Sequence, residues 1–426
     1  MKNLAANWPY KPGLEYTPPA RGTWTIAHTP LLVPESVEVY VCPESCLRGV
    51  SLSAAEFGGL GTRFSLVVVE EEDWIRSRME PLFIEGVSDL LRQRYERDGK
   101  YPPICFVFNS CMHQFMDTNM ALIFRKLAER FPDVLFVEGN MNCTMRTTQT
   151  HYEAATNRAL YKGLLPVGDA LRKAPPAPVR AVNVIGNYFA IDTSSELLEL
   201  LGFAGYKVND LPRVKTYEEY QQMAESRVYV SYNPDAAPGG DMLSERLGGT
   251  HYALKFSFDY DEIDATFAGL AEVLGIAPRS SEEISALRAE CEKELKETNA
   301  LVGDTPVSID YTYCPRPLGL AKLLLDHGIN VTRVYADGIP GGDRAAFESL
   351  QKEHPDLMIY PTVHPGMRFA RTANVDDQRE VKVLAIGQKA AAFEETDHFV
   401  NVVEGGGMTG YEAITRTCRM MREAFL

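Results

Sequence analysis

The sequence predicts an α/β protein of three successive units, each a parallel sheet flanked by helices. Three observations predict it. Short continuous apolar runs recur with helical stretches between them, the β-α-β pattern of buried parallel strands. The pattern restarts twice, giving units of roughly 110 to 140 residues. A chain of 426 residues is also too long for a single core.

The first unit is organised around Cys42-Pro43-Glu44-Ser45-Cys46-Leu47-Arg48-Gly49-Val50. An extended apolar approach, Val37 to Val41, leads into it, and Ser51 to Glu56 reads as the start of a helix. Thiols placed between a strand and a helix start meet backbone N–H groups and the positive helix end, which favour the thiolate that binds metal. The C-x3-C spacing differs from the C-x2-C of most zinc knuckles, so the other cysteines decide its meaning. Ile104 to Phe108 is a buried strand ended by Asn109-Ser110-Cys111. A helix follows through Met120, Ile123, Leu127 and Phe131, then a strand from Val134 to Val137. Cys111 therefore stands at the carboxyl end of a strand, the edge at which open α/β sheets bind ligands. Cys143, after the next strand, is placed on the same edge. Residues 1 to 36 are rich in Pro, Tyr and Trp and read as a segment that wraps over a domain or meets a partner chain.

Lys173 to Pro178 reads as a linker. The second unit has strands at Val179–Ile185, Arg227–Tyr232 and His251–Phe256. Its helices are Ser194–Leu201 (capped by Ser194 or Thr193), one from Asp241, and Glu262–Leu274. Ser280 to Leu301 is a charged helical connector. The third unit opens with a strand at Pro306–Asp310 and a helix at Leu318–Asp326. Strands follow at Asn330–Tyr335 and Glu380–Ile386, and a helix from Thr409 ends the chain. The boundaries expected are 1–178, 179–303 and 304–426.

Composition narrows the function. A hydrophobic share of 45% with 24% charged residues fits a globular protein, and the net charge of −15 argues against a nucleic-acid-binding role. No apolar run approaches the ~18 residues that cross a bilayer, and no secretory signal is read at the start, so a cytoplasmic location is expected. There the eight cysteines are metal-bound, catalytic or free. Neither G-x-x-x-x-G-K-[ST] nor G-x-G-x-x-G is present. Gly405-Gly406-Gly407 reads as a turn, with an anion cradle as the alternative.

The order of these segments resembles the nitrogenase component 1-type oxidoreductases, over nearly the whole chain. The matching residues are Cys42 with Arg48, Gly49 and Val50; Ser110-Cys111 with Asp117; Ile185-Gly186-Asn187-Tyr188; and Gly410-Tyr411 before the last helix. The resemblance implies three Rossmann-like domains around a central cleft. It also implies an iron–sulfur cluster, [4Fe-4S] in type, held by cysteines at a chain–chain interface of a homodimer or a dimer with a related chain. A separate iron–sulfur ATPase would supply electrons to a small molecule bound between domains. Clusters are usually held by four thiolates. Cys42 and Cys111 are the ligands so implied, Cys46 adds or replaces one, and Cys143 is a further ligand or substrate contact. Arg48 would offset the cluster's charge. His113 and His364 are candidate proton donors, an imidazole function near neutral pH, with a capping or surface role as the alternative for His113. Cys105 is expected in the core, Cys314 in a structural role with a cleft-facing one as the alternative, Cys291 and Cys418 as inert helix residues, and His251 as structural.

The sequence also departs from the nitrogenases proper. It has no cysteine in the turn Gly58-Gly59-Leu60-Gly61 and none in the α/β part of the second unit, about 179 to 278. Dinitrogen reduction is therefore not expected, and the tetrapyrrole-reducing homologues, which hold a simple cluster, are nearer. Two alternatives stand beside a reductase: a scaffold or carrier for metallocofactor assembly, and a metal-free ligand-binding protein or transferase.

Overall fold

The computed structural model describes residues 25–55, 62–141, 152–173, 180–339, 341–362, 367, 382–402 and 404–426. Cys143, His364, the linker from 174 onward, the turn 58–61 and residues 1–24 lie outside the described residues, as does the side chain of Arg48.

Thirteen described strands form three sheets. The first contains β1 (Val37–Cys42), β2 (Phe64–Val68), β3 (Ile104–Asn109) and β4 (Leu135–Asn140), in the order β2-β1-β3-β4. The second contains β5 (Ala181–Ile185), β6 (Lys207–Asp210), β7 (Val228–Ser231) and β8 (Thr250–Ala253), in the order β6-β5-β7-β8. The third contains β9 (Val307–Asp310), β10 (Val331–Tyr335), β11 (Met358–Tyr360), β12 (Leu384–Ile386) and β13 (Phe399–Val400), in the order β11-β10-β9-β12-β13. All pairings are parallel. The expected architecture of three parallel sheets flanked by helices is therefore observed. Every residue of β1 and of β3 is buried, as in a sheet covered on both faces.

Each sheet runs outward from its first strand in both directions, so each has a switch point where consecutive connections leave to opposite faces. In the first sheet that point lies between β1 and β3. Val37, Val39 and Val41 pack with Phe83, Val87, Ile123 and Leu127, from the helices Met79–Asp98 and Met120–Arg130. Tyr40 and Cys42 face the other way, toward Val50 of the helix Glu44–Ala55. A crevice opens at such a point, outside the carboxyl strand ends.

Several boundaries differ from the sequence reading. The helix expected from Ser51 begins at Glu44, because Glu44 suits a first turn and Pro43 already accepts the Cys46 N–H. Cys42 is thus the last residue of a strand, and Cys46 lies in the first helical turn. The helix expected at Ser194 begins at Glu196, with Ser195 as the cap that accepts the Leu197 N–H. The helix expected from Asp241 begins at Ala237, with Pro238 in its first turn.

The second and third units are pinned together by two carboxyls. Gly410, at φ +63, opens the last helix, and a Cβ there would lie 2.8 Å from Phe267 and 2.9 Å from Glu196 Oε1. That approach lets the Glu412 N–H donate to Glu196 Oε1 at 2.6 Å. Arg279 pairs with Glu196 at 2.6 Å, and Arg416 bridges Glu412 and Asp192 at 2.8 and 3.3 Å. Burial nevertheless holds both Glu196 and Glu412 above the ordinary carboxylate value. The folded chain then binds these protons more tightly than the unfolded chain. Their contribution to stability is fullest below the unfolded value of 4.5 and falls as pH rises through the raised values. Glu412→Gln is expected to lessen that fall. Its melting temperature should decline less than the wild type's between about pH 5 and 8, and parallel curves would remove Glu412 from the linkage.

Candidate functional site

The β1/β3 switch point brings three cysteines to one place. Cys42 closes β1 with its side chain fully buried among Tyr40, Val50 and Phe108. The Tyr40 ring stacks on Phe108 with centroids 4.3 Å apart and an interplanar angle of 8°. Cys46, Val50 and Ala54 recur at i, i+4 and i+8, so one stripe of the helix Glu44–Ala55 faces the sheet. Cys46 is half-buried at the open end of that stripe. Cys111 is the first residue of the helix Cys111–Phe115 and is also half-buried. Burial pushes the Cys42 thiol up, and the neighbouring Cys46 and Cys111 push it further. The helix-start lowering expected from sequence is therefore overridden at Cys42, because a fully buried strand residue has lost the water that would solvate a thiolate.

His113 shapes this helix rather than the cleft. The Ser110 N–H donates to His113 Nδ1 at 2.7 Å, which closes a capping box. The ring lies edge-on to Phe83, 4.4 Å between centroids, and is 3% exposed. Burial pulls its pKa down to about 4, so it is neutral near pH 7. The expected proton donor is thus turned into the core, where it orients the residue before Cys111. Asp117, expected on the helix, lies beyond its end in a left-handed turn at φ +47 and is exposed. Cys105, Cys291, Cys314 and Cys418 are buried core residues.

The donor set separates a cluster from a single ion. Four thiolates around one zinc lie roughly 3.8 Å apart, given Zn–S bonds near 2.3 Å and tetrahedral angles. Cys42, Cys46 and Cys111 do not form a group whose sulfurs all lie within 4.8 Å. Among the described residues only Asp326, Glu353 and His354 form a group so close, on the third unit's surface, where Lys322 already reaches Asp326 and Glu353. Cys42, Cys46 and Cys111 meet at one strand-end switch point, and thiols are the side chains that hold metal–sulfur clusters.

Two further features were not read from the sequence. The carboxyl edge of the first sheet carries exposed apolar side chains: Ile75 is 76% and Phe115 72% exposed, and Val68, opposite Cys42 in the sheet, is 38% exposed. Phe115 stands one turn past Cys111, and that spacing was the available signal. Between the first and second units lies a cavity of about 550 Å3 bordered by His28, Arg63, Tyr188, Phe189 and Lys215. Burial lowers His28 to about 4.

His251 has a structural role, as expected. Its Nε2 is 2.8 Å from Ser231 Oγ and its Nδ1 2.8 Å from Asp241 Oδ1. The connectivity is that of a hydrolytic triad with the exposure reversed. Ser231 is 1% exposed, while the Asp241 side chain is 66% exposed. A buried nucleophile meets no substrate, so the relay braces β7, β8 and the helix Ala237–Leu247.

No helix among the described residues is long and apolar enough to cross a membrane. No curated protein matches the chain. Among solved structures it is similar to "Nitrogenase Cp1 at pH 6.5", with a TM-score of 0.66 and 12% identity, over 98% of this chain and 94% of that chain. It is also similar to "Nitrogenase Cp1 at pH 5", with a TM-score of 0.58 and 13% identity, over 98% of this chain and 90% of that one. At such identity these matches show a shared fold. A family model described as nitrogenase component 1 type oxidoreductase matches residues 86–402, a stretch that contains Cys111, half of the first sheet and the whole of the other two. The chain therefore belongs to the nitrogenase component 1 type oxidoreductase family.

Proposed function

We propose that the chain is the cluster-bearing component of a two-component reductase. Cys42 and Cys111, with Cys46, hold an iron–sulfur cluster, and a second chain completes the ligand set. The observation that carries this reading is the meeting of three cysteines at the β1/β3 crevice in a chain of this family. Bound there, a cluster supplies electrons one at a time to a small molecule. The missing phosphate-binding loop fits an ATP-dependent reductase as a separate partner. The cavity bordered by Tyr188, Phe189 and Arg63 is the substrate cleft, and the absence of a cysteine between Cys143 and Cys291 argues for a substrate other than dinitrogen.

This chain's own residues prepare the site. Burial of Cys42 beneath Tyr40 and Phe108 keeps water from one side of the crevice. The Ser110–His113 box fixes the turn that presents Cys111. The apolar rim of Val68, Ile75 and Phe115 offers a surface for a second copy, which would also bring the missing thiols.

The decisive experiment is iron and acid-labile sulfide per chain on protein purified without oxygen, with electron paramagnetic resonance after reduction. About two irons per chain with a reduced-cluster signal are expected, because two chains share one four-iron cluster. No iron after reconstitution would end the reading, and a cluster without turnover beside a reductase would favour the scaffold. Phe115→Asp tests the interface. It is expected to convert the dimer to monomer in sedimentation and to lose the iron with it, since a charge at a buried apolar contact costs several kcal/mol. A dimeric, iron-loaded variant would place the interface elsewhere.

A further inference from the structure

The outer edge strand of the first sheet, β4, borders a groove of about 630 Å3. One wall carries Arg158, on the helix Tyr152–Leu160, and Lys162, on the turn Lys162–Leu164. The other is the helix Ala237–Leu247. Leu135, Phe136 and Met242 give an apolar floor.

The charges in this groove are unequally matched. Arg246 faces Asp169 at 3.7 Å, and Asp241 is held by His251 at 2.8 Å. Glu245, on the far wall, is exposed. Among the described residues, Arg158 and Lys162 make neither a hydrogen bond nor an ion pair, although they stand one helical turn apart and Lys162 is half-buried. Burial pushes the Lys162 ammonium down, the Arg158 charge pushes it further, and Glu138 of β4 pulls it back without pairing. An ammonium held partly out of water beside the exposed Arg158 guanidinium is costly unless an anion joins the two.

The wall is also fixed in place. Tyr161 and Tyr220, both fully buried, pin the turn from either side. The Tyr161 hydroxyl accepts the Gly186 N–H at 3.0 Å, and the Tyr220 hydroxyl donates to the Leu160 carbonyl at 2.5 Å. A Cβ on Gly163 would lie 2.8 Å from the Tyr220 ring, so the turn packs as closely as glycine allows. Cations on a rigid turn lose little freedom when an anion binds.

We propose that this groove binds a small organic acid, its carboxylate between Arg158 and Lys162 and its apolar body over Leu135, Phe136 and Met242. The volume suits a single small molecule, and an apolar lining with few polar groups is the usual composition of such sites. A guanidinium and an ammonium together match a carboxylate's two oxygens. The floor is the amino-terminal half of β4, whereas the cysteines close the carboxyl strand ends. The groove is therefore a second site, and its test needs no cluster.

Calorimetric titration with 3-phenylpropionate and with its neutral amide tests the proposal on the purified chain. The acid is expected to bind saturably and the amide at least about tenfold more weakly. Lys162→Met and Arg158→Met should each weaken the acid about tenfold, while Lys126→Met, on the helix Met120–Arg130 that covers the opposite face of the sheet, leaves it unchanged. Lys162→Met should fold, because it removes a half-buried charge rather than a partnered one. Equal binding of acid and amide, full binding by both variants, or no saturable heat up to about 10 mM acid would overturn the proposal. Binding of inorganic phosphate without the acid would overturn it as well.

Discussion

Cys111→Ala is expected to lower iron to less than about a tenth of the wild-type content while leaving the fold intact. Cys111 is half-buried and occupies the first position of a helix, where alanine is well tolerated, so the stability change should stay within about 1 kcal/mol. Its thiol would be a direct ligand, and a cluster that loses one of its thiolates is readily lost. Cys105→Ala is the matching control. Cys105 lies in β3, fully buried among Val39 and Val107, and faces the opposite side of the sheet from Cys42. Removing it opens a small cavity at about 1 to 3 kcal/mol and should leave the iron in place. The two variants thus separate loss of a ligand from loss of packing. Full iron in Cys111→Ala, with the dimer preserved, would remove Cys111 from the ligand set. Equal iron loss in both would trace the effect to the fold.

The architecture was legible because central parallel strands are rich in apolar residues: β3 reads as a continuous apolar run, and β1, β5 and β9 do so apart from Glu38, Asn183, and Ser308 with Asp310. The short edge strands β2, β6, β11 and β13 were missed: most of their residues are only part-buried, and two or three such residues carry no pattern. The helix Met79–Asp98 was also missed, since its apolar positions are diluted among charges. At the site, the cysteines were legible from their position at strand ends, which spacing along the chain preserves. Their environment was not. Whether Cys42 is a helix thiol or a buried strand thiol depends on where the helix begins, and Pro43-Glu44 moved that start seven residues forward from Ser51. His113 was placed beside Cys111 correctly, but the side to which it turns is decided by Phe83, thirty residues away in the chain. The rim formed by Ile75 and Phe115 has no sequence signal beyond one helical spacing, because exposure is a property of the folded edge.

Gly387→Ala is expected to destabilise the third unit by at least about 2 to 3 kcal/mol, through strain and a clash that neither residue can relieve. Gly387 has φ +107 and leads β12 into the helix Gln388–Glu394, at the β9/β12 switch point. A Cβ there would lie 2.5 Å from the carboxyl carbon of Asp310. Asp310 has nowhere to go. It is fully buried at the end of β9, where it accepts the Thr312 N–H at 2.7 Å, the Thr312 hydroxyl at 2.5 Å and the Ala390 N–H at 2.7 Å. Burial holds its carboxyl above the ordinary range, with those three bonds and Lys389 drawing it back. Moving the carboxylate to admit a methyl group would strand two backbone donors in the core, each costing about 1 to 3 kcal/mol. Asp310→Asn is the informative companion. It keeps one acceptor oxygen, cannot serve all three donors, and should cost less than Gly387→Ala if the clash adds to the lost bonds. Denaturant midpoints of the two variants give the comparison. A Gly387→Ala protein as stable as the wild type would mean that the switch-point turn can relax away from β9, and the rigid seating of this crevice would have to be abandoned.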